Sequence, residues 1–291
     1  IGMAGSGKST LVKSLQQQFS DSFVINLDPA VLNTPYTPNI DIRDSVDYNE
    51  LITDHKLGPN GAILTALNLF VSKLDQLIKL IPADKTIIFD APGQIESFVW
   101  SASGEILLKT FYKSLLLYVI DVEKCRNPSV FVSSMIYLLS ITNRMQLERC
   151  VVVLNKTDLL QEQLSEDFQK IFTEETDPTQ TENTFLDLVK QYPHNSMLLN
   201  SLFVKQAEND FQSSFLNTVQ LNLEEFWQKF SFQFTSCKTH DGFDALIDEM
   251  TNLYKQIEEE VKQKEETQVQ QEIQHVRQQI KNVEQDMDEN D

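Results

Sequence analysis

The sequence predicts an α/β fold with a doubly wound, mainly parallel sheet, a helical insertion and a C-terminal helical tail. Short apolar runs recur along the 291 residues, each run ends in a polar motif, and helical patterns lie between the runs. Continuous β-branched and aromatic runs of this length are typical of strands that are buried on both faces. Alternation of strands and helices predicts parallel strands, and the polar motifs then lie at their carboxyl ends, where ligands bind in such folds.

The chain begins with a phosphate-binding loop of the Walker A type, Gly2-Met3-Ala4-Gly5-Ser6-Gly7-Lys8-Ser9. Its glycines let the backbone curl so that successive N–H groups point at one anion. We expect Lys8 to reach the β- and γ-phosphates and the Ser9 hydroxyl to hold Mg²⁺, while the following helix adds the positive end of its dipole. This loop predicts a P-loop NTPase. Its candidate nucleotide-binding residues are Gly5, Ser6, Gly7, Lys8, Ser9 and Thr10.

The remaining elements follow in order along the chain. The predicted strands cover residues 23–27, 86–89, 115–120, 151–154 and 232–234, and helices are predicted over 10–19, 62–81 and 129–143. A phosphate-binding loop normally follows a buried strand. Because only Ile1 precedes Gly2, we expect the first strand of the sheet to be missing from this sequence.

Two segments extend this core. Residues 159–231 are predicted to form a phenylalanine-rich helical insertion before the last strand. Its aromatic side chains either form the core of a helical subdomain or leave a groove for an apolar client segment. Residues 255–291 are an acidic, Gln- and Glu-rich tail, predicted to be helical or disordered, with apolar residues at heptad spacing between Val269 and Met287.

The charge of the chain limits its partners. With 43 acidic and 24 basic side chains, the net charge is −19, which argues against direct nucleic-acid binding and against anionic membranes. The longest apolar runs are far too short to span a bilayer. Three widely spaced cysteines form neither a metal pattern nor an even-numbered disulfide set, so we expect a reducing cytosolic or nuclear compartment.

A guanine-recognition motif follows the fourth predicted strand. Asn155-Lys156-Thr157-Asp158 matches the pattern N-K-x-D. The Asp158 carboxylate can accept from the guanine N1–H and the exocyclic amine, and adenine offers no such donor pair, so the site rejects it. We expect Asn155 and Lys156 to brace the base and its loop. Ser236-Cys237, after the last strand, lies where a backbone N–H can meet the guanine O6.

A second phosphate motif follows the second predicted strand. Asp90-Ala91-Pro92-Gly93-Gln94 matches D-x-x-G. We expect Asp90 to hold Mg²⁺ through water and the Gly93 N–H to contact the γ-phosphate. Gln94 and Glu96 lie where a group that positions water is needed, although Glu96 fits equally well as an exposed carboxylate at a helix start.

Further motifs carry a resemblance to a known family. Gly58-Pro59-Asn60 alone would be interpreted as a turn before a helix. Upstream of it stand Asn26-Leu27-Asp28-Pro29-Ala30 and Asp41-Ile42-Arg43-Asp44. Together with the phosphate and guanine motifs, and in the same order, these segments resemble the GPN-loop GTPases from residue 2 to about residue 254. Two departures are Ala91, where the family usually has Thr, and His240, where it usually has Gly.

The resemblance implies a GTPase domain over residues 1–254 that binds GTP or GDP with Mg²⁺. It implies metal ligation by Ser9, Asp28 and Asp90, with Asp28, Gln94 and Glu96 holding the metal or the attacking water. Family members are dimers in which the Gly-Pro-Asn loop enters the partner's site, so Asn60 would act in trans near the γ-phosphate. The partners implied are a second copy or a sister GPN-loop GTPase, together with RNA polymerase II subunits or assembly factors. The role implied is polymerase assembly and nuclear import, in a cytoplasmic protein that shuttles to the nucleus.

Two classes of function follow. The first is an enzyme that couples GTP hydrolysis to a conformational cycle of a dimer. The second is a chaperone-like binding module that GTP stabilises and that has little turnover. The full hydrolytic set favours the enzyme, since a pure binder need not keep Asp28, Gln94, Glu96 and Asn60 beside a complete phosphate loop. The N-K-x-D motif disfavours an ATP-using metabolic kinase.

Overall fold

A computed structural model describes residues 1–147, 149–160, 190 and 230–288. The strands are β1 (Ser22–Asn26), β2 (Ile40–Asp41), β3 (Thr86–Asp90), β4 (Leu116–Asp121), β5 (Cys150–Asn155) and β6 (Ser231–Thr235). The α-helices are α1 (Lys8–Gln18), α2 (Tyr48–Thr53), α3 (Pro59–Val71), α4 (Leu74–Ile78), α5 (Ile95–Val99), α6 (Ala102–Thr110), α7 (Pro128–Met145) and α8 (Phe243–Asp288). Short 3₁₀ helices lie at Ile42–Asp44, Val122–Arg126 and Thr157–Leu160.

All strand pairs among the described residues are parallel. Their order is β2-β1-β3 in one three-stranded sheet and β4-β5-β6 in another. The start of the chain lies beside β4, where Gly2 forms a parallel bridge with Val119 and the Val119 N–H donates to the Ile1 carbonyl at 2.8 Å. Within each sheet the strands run in parallel, which brings the polar residues that terminate them to one edge of that sheet.

Alternate residues of the strands pack against different helices, as a doubly wound sheet requires. On β5, Val151 and Val153 pack in a cluster with Leu11 and Leu15 of α1 and the start of α8. Val152 and Leu154 pack on the opposite face, in the larger cluster that includes α3, α5 and α7. All these valines are completely buried, which explains why the strand is a continuous apolar run rather than an alternating one.

The structure corrects two element predictions. The helix predicted over 62–81 is two helices, α3 and α4, that begin earlier and end sooner. The apolar periodicity continues from α3 into α4. However, α3 ends at Val71, because the Ser72 hydroxyl donates to the Leu69 carbonyl at 2.7 Å. Strand β2 was not predicted, since two residues carry no detectable period.

The predicted insertion over residues 159–231 falls almost entirely outside the described residues. At its ends, Leu159 and Leu160 complete a 3₁₀ helix and Ser231 begins β6. The two interpretations of its phenylalanines therefore stay predictions.

The C-terminal part of the described chain is one long helix. Helix α8 continues without interruption through residue 254, where the sequence analysis places a domain boundary. Arg149 donates to Gln256 and Glu260 of this helix, and Tyr112 donates to Glu265 at 3.1 Å. These contacts attach the first half of α8 to the segments that precede β5 and β4. No helix among the described residues has the length and apolarity needed to cross a bilayer.

Candidate nucleotide-binding site

The phosphate-binding loop has the backbone that an anion site needs. Gly5 and Gly7 have φ of 78° and 93°, values that glycine adopts without penalty. A Cβ at Gly7 would lie 2.4 Å from the Asn155 amide nitrogen, so the second glycine also allows close approach of the guanine motif. Gly7 precedes α1, and no side chain caps that helix end. Its first N–H groups are therefore available to phosphate oxygens.

The side chains of the loop point to the same place. Lys8 donates to the Met3 carbonyl at 3.1 Å. Burial lowers the pKa of Lys8, and the carboxylates of Asp90 and Asp28 oppose that shift, which places both near its ammonium group. The Ser6 hydroxyl is buried and has no hydrogen-bond partner among the described residues. Thr10 is exposed on α1.

Asp90 lies at the end of β3 and is 4% exposed. Burial raises its pKa, and hydrogen bonds from Ser9 and Tyr36 oppose the rise. The Tyr36 hydroxyl donates to Asp90 Oδ2 at 2.8 Å. Ser9 and Asp90, both expected to hold Mg²⁺, therefore lie near each other. Tyr36 was not predicted as a site residue, and the sequence signal for it is only its position upstream of residues 41–44.

Asp28 reaches the second phosphate motif. Its Oδ2 accepts from the Gly93 N–H at 3.1 Å, and its Oδ1 accepts from the Ala30 N–H at 2.9 Å. The Gly93 N–H, predicted to contact a γ-phosphate, therefore donates to a carboxylate in this structure. Asp28 therefore joins the loop after β1 to the loop after β3.

Gln94 and Glu96 are both exposed at the start of α5. Glu96 Oε1 accepts from the Tyr137 hydroxyl of α7 at 2.8 Å. Burial and this bond raise the pKa of Tyr137 to about 12, so its hydroxyl is a donor at neutral pH. Exposure fits the simple interpretation of Glu96 as a carboxylate at a helix start. The hydrogen bond from Tyr137 of α7 holds the Glu96 side chain in one orientation.

The guanine motif is tied to the phosphate loop. The Asn155 amide donates to the Ser6 carbonyl at 3.1 Å, and the Lys156 ammonium donates to the Gly5 carbonyl at 2.7 Å. Lys156 also bonds Asp121 Oδ2 at 2.8 Å, and its backbone has φ of 71°. Asp121, the last residue of β4, was not predicted as a site residue.

The loop after β6 packs beside the guanine motif. The Ser236 hydroxyl donates to Asp158 Oδ1 at 2.6 Å and accepts from the backbone N–H of Lys238 and Thr239. The Cys237 N–H, expected to meet the guanine O6, donates to Asn155 Oδ1 at 3.3 Å. Burial raises the pKa of the Cys237 thiol to about 11, so it is not a nucleophile at neutral pH. The same loop contains His240 with φ of 64°, the conformation that favours the usual glycine.

The Gly-Pro-Asn segment lies on the surface. Gly58 precedes α3, Pro59 is its first residue, and Asn60 follows, all three exposed. The Tyr48 hydroxyl donates to the Pro59 carbonyl at 3.5 Å. Burial and the charge of Asp28 raise the pKa of Tyr48, so this segment lies on the side of the molecule that carries Asp28.

Relatives cover most of the chain. A family model described as "Conserved hypothetical ATP binding protein" matches residues 1–256. GPN-loop GTPase 1 of Saccharomyces cerevisiae is 37% identical over 278 residues, which are 89% of this chain and 68% of that protein. GPN-loop GTPase 1 of Schizosaccharomyces pombe is 35% identical over 271 residues, 89% and 69% of the two chains.

A solved structure also resembles this fold. PAB0955, a GTPase in apo form from Pyrococcus abyssi, matches with a TM-score of 0.66 and 25% identity over 88% of this chain and 94% of that one. The predicted α/β fold of the P-loop type is confirmed. The family description names ATP, whereas both yeast relatives and this structure are GTPases, in agreement with the N-K-x-D motif.

Proposed function

This chain belongs to the GPN-loop GTPases, and on that premise we propose that it hydrolyses GTP with Mg²⁺ in a dimer whose two sites each use Asn60 of the other chain. The observation that carries the proposal is the meeting of three motifs. Direct hydrogen bonds join the phosphate loop to the guanine motif, and Ser9 and Lys8 of that loop lie near Asp90.

Different residues of this chain contact the phosphates, the attacking water and the base during hydrolysis. Lys8 and the first N–H groups of α1 stabilise negative charge on the phosphates, which is the largest contribution that a protein makes to phosphoryl transfer. Gln94 and Glu96 orient the attacking water. Asp158, held by Ser236, accepts from the guanine base.

The donor set fits Mg²⁺. The Ser9 hydroxyl and the carboxylates of Asp90 and Asp28 are hard oxygen ligands, which Mg²⁺ prefers. No group of three or more His, Cys, Asp or Glu side chains in the described part of the chain forms a metal cluster. Mg²⁺ is commonly held by one or two protein groups together with substrate phosphates, so the two facts agree. When bound, the ion neutralises charge that develops on the phosphates.

The dimer supplies Asn60. In this chain Asn60 is exposed at the start of α3. An exposed amide on the side that carries Asp28 is available to a neighbouring molecule. The partner is a second copy or a sister GPN-loop GTPase.

The cellular role is assembly of RNA polymerase II and its nuclear import, in a protein that moves between cytoplasm and nucleus. This part rests on the family resemblance. Copurification with a sister GPN-loop GTPase and polymerase subunits, with GDP or a non-hydrolysable GTP analogue present, tests it. Recovery of polymerase subunits that depends on the nucleotide supports the role, and no recovery under any condition contradicts it.

Hydrolysis is separated from simple binding by the variant Glu96→Ala. We expect unchanged GTP affinity and a turnover lower by about 10²–10⁴, the usual contribution of a group that positions or deprotonates the nucleophile. Glu105→Ala is the matched control, since Glu105 is also a glutamate in a first helical turn, half-buried and away from the phosphate motifs. Equal turnover in the two proteins would remove the role of Glu96. Wild-type protein that binds GTP but hydrolyses it no faster than buffer does would be the alternative, a GTP-stabilised binding module.

A further inference from the structure

Tyr36 lies in the polar connection between β1 and β2, yet it is only 6% exposed. Its ring packs against Val12 of α1, Val24 of β1 and Ile88 of β3. A ring held by three elements has little remaining rotamer freedom, so the position of its hydroxyl is fixed by packing. That hydroxyl donates to Asp90 Oδ2 at 2.8 Å.

The backbone of Asp90 is fixed by the sheet, but its side chain is not. The Leu27 N–H donates to the Asp90 carbonyl at 2.9 Å, and Asp90 pairs with Asn26 in the β1–β3 ladder. The carboxylate direction depends on the groups around it, among which the Tyr36 hydroxyl donates to Oδ2 and Ser9 lies nearby. Ser9 is itself a predicted metal ligand, so Tyr36 is the donor that stays available to Asp90 when Ser9 turns to a metal.

The chemistry of Tyr36 suits this task. A phenol hydroxyl is a donor at neutral pH, and packing of the ring fixes the place from which this one donates. Groups of this kind, which do not touch the metal but orient its ligands, usually contribute strongly to metal affinity.

We propose that Tyr36 is a positioning residue whose hydroxyl holds the Asp90 carboxylate toward Ser9 and thereby sets the affinity of the nucleotide site for Mg²⁺. This inference rests on the proposed function. It gives the β1–β2 connection, which already carries the predicted metal ligand Asp28, a second part in the metal site through a residue outside the phosphate and guanine motifs.

The variant Tyr36→Phe separates the two contributions of the side chain. It keeps the ring that packs on Val12, Val24 and Ile88 and removes only the donor. Tyr118→Phe is the matched control, because it removes a hydroxyl from an equally buried ring, on β4. The readout is the dissociation rate of fluorescent GDP at increasing free Mg²⁺, with thermal melting to verify folding.

For Tyr36→Phe we expect the Mg²⁺ concentration that half-maximally slows GDP release to rise about tenfold or more, with the release rate in EDTA unchanged. Tyr118→Phe should keep the wild-type midpoint. A wild-type midpoint in Tyr36→Phe overturns the inference. Wild-type protein whose GDP release ignores Mg²⁺ contradicts the proposed function itself.

A double variant tests whether Tyr36 acts through Asp90. Asp90→Asn alone should raise the Mg²⁺ midpoint, and adding Tyr36→Phe to it should cause no further rise. An additional rise of the same size as in the wild-type background, in variants that melt like the wild type, would mean that Tyr36 acts by another route and would overturn the inference.

Discussion

At the scale of single residues, we propose that Asp158 decides which base is bound. We expect Asp158→Asn to weaken GDP binding by about 1–3 kcal/mol, because the variant leaves guanine donors without an acceptor. Xanthosine diphosphate, whose base presents an acceptor in place of the amine, should bind more tightly than GDP. Titration of both nucleotides tests this. Asp248→Asn, an exposed aspartate on α8, is the control, and unchanged GDP affinity in Asp158→Asn would contradict the guanine assignment.

Two glycines of the phosphate loop offer a matched comparison. Both Gly5 and Gly7 have positive φ, so alanine at either position is strained by about 1–3 kcal/mol. Only at Gly7 does the added Cβ meet another side chain, that of Asn155, whereas at Gly5 nothing lies within 4 Å. Urea unfolding without nucleotide should therefore give a larger loss for Gly7→Ala, by a further ~1–3 kcal/mol of overpacking. Equal losses would mean that Asn155 moves aside without cost.

At the scale of elements, the connection between β1 and β2 carries both Asp28 and Tyr36, and Arg43 braces it. Arg43 bonds Asp41 through two side-chain nitrogens, at 2.9 and 2.6 Å, and donates to the carbonyls of Val31 and Leu32. Asp41 is 7% exposed, so loss of its partner leaves a buried carboxylate poorly satisfied. We expect Arg43→Leu to cost about 2–4 kcal/mol of unfolding free energy in urea. Arg144→Leu, which breaks an exposed pair with Glu105, should cost about 0–1 kcal/mol.

The contribution of the Asp41–Arg43 pair also depends on pH. Burial raises the pKa of Asp41, but the hydrogen bonds from Arg43 and Asn26 outweigh it and hold that pKa below its usual range. A carboxyl whose folded pKa is depressed adds stability above its unfolded pKa of about 3.9, and that stability is lost as pH falls through the folded pKa. The gap between wild type and Arg43→Leu should thus be constant near neutrality and smaller at pH 3. A gap that widens on acidification would contradict this pairing.

At the scale of the whole molecule, the motifs and strands that are contiguous in the chain could be predicted from the sequence. The side-chain hydrogen bonds between residues far apart in the chain could not. The phosphate and guanine motifs are short runs with fixed chemistry, and the strands before them are continuous apolar runs, so fold and motifs could be read directly. The bonds Tyr36–Asp90, Tyr137–Glu96 and Lys156–Asp121 join residues 54, 41 and 35 positions apart. Local sequence periodicity does not reveal such pairs, because they form only when the helices and strands pack together.

The central claim is that this GTPase has a site completed by a second chain, and complementation tests it most directly. Lys8→Ala and Asn60→Ala should each abolish turnover alone. In a mixture of the two, with dimers verified by sizing, one site of every mixed dimer contains both an intact Lys8 and an intact Asn60 from the other chain. Random pairing then restores about a quarter of the sites, so the mixture should show about a quarter of wild-type turnover. Turnover that stays at the level of the single variants, with mixed dimers present, would contradict it.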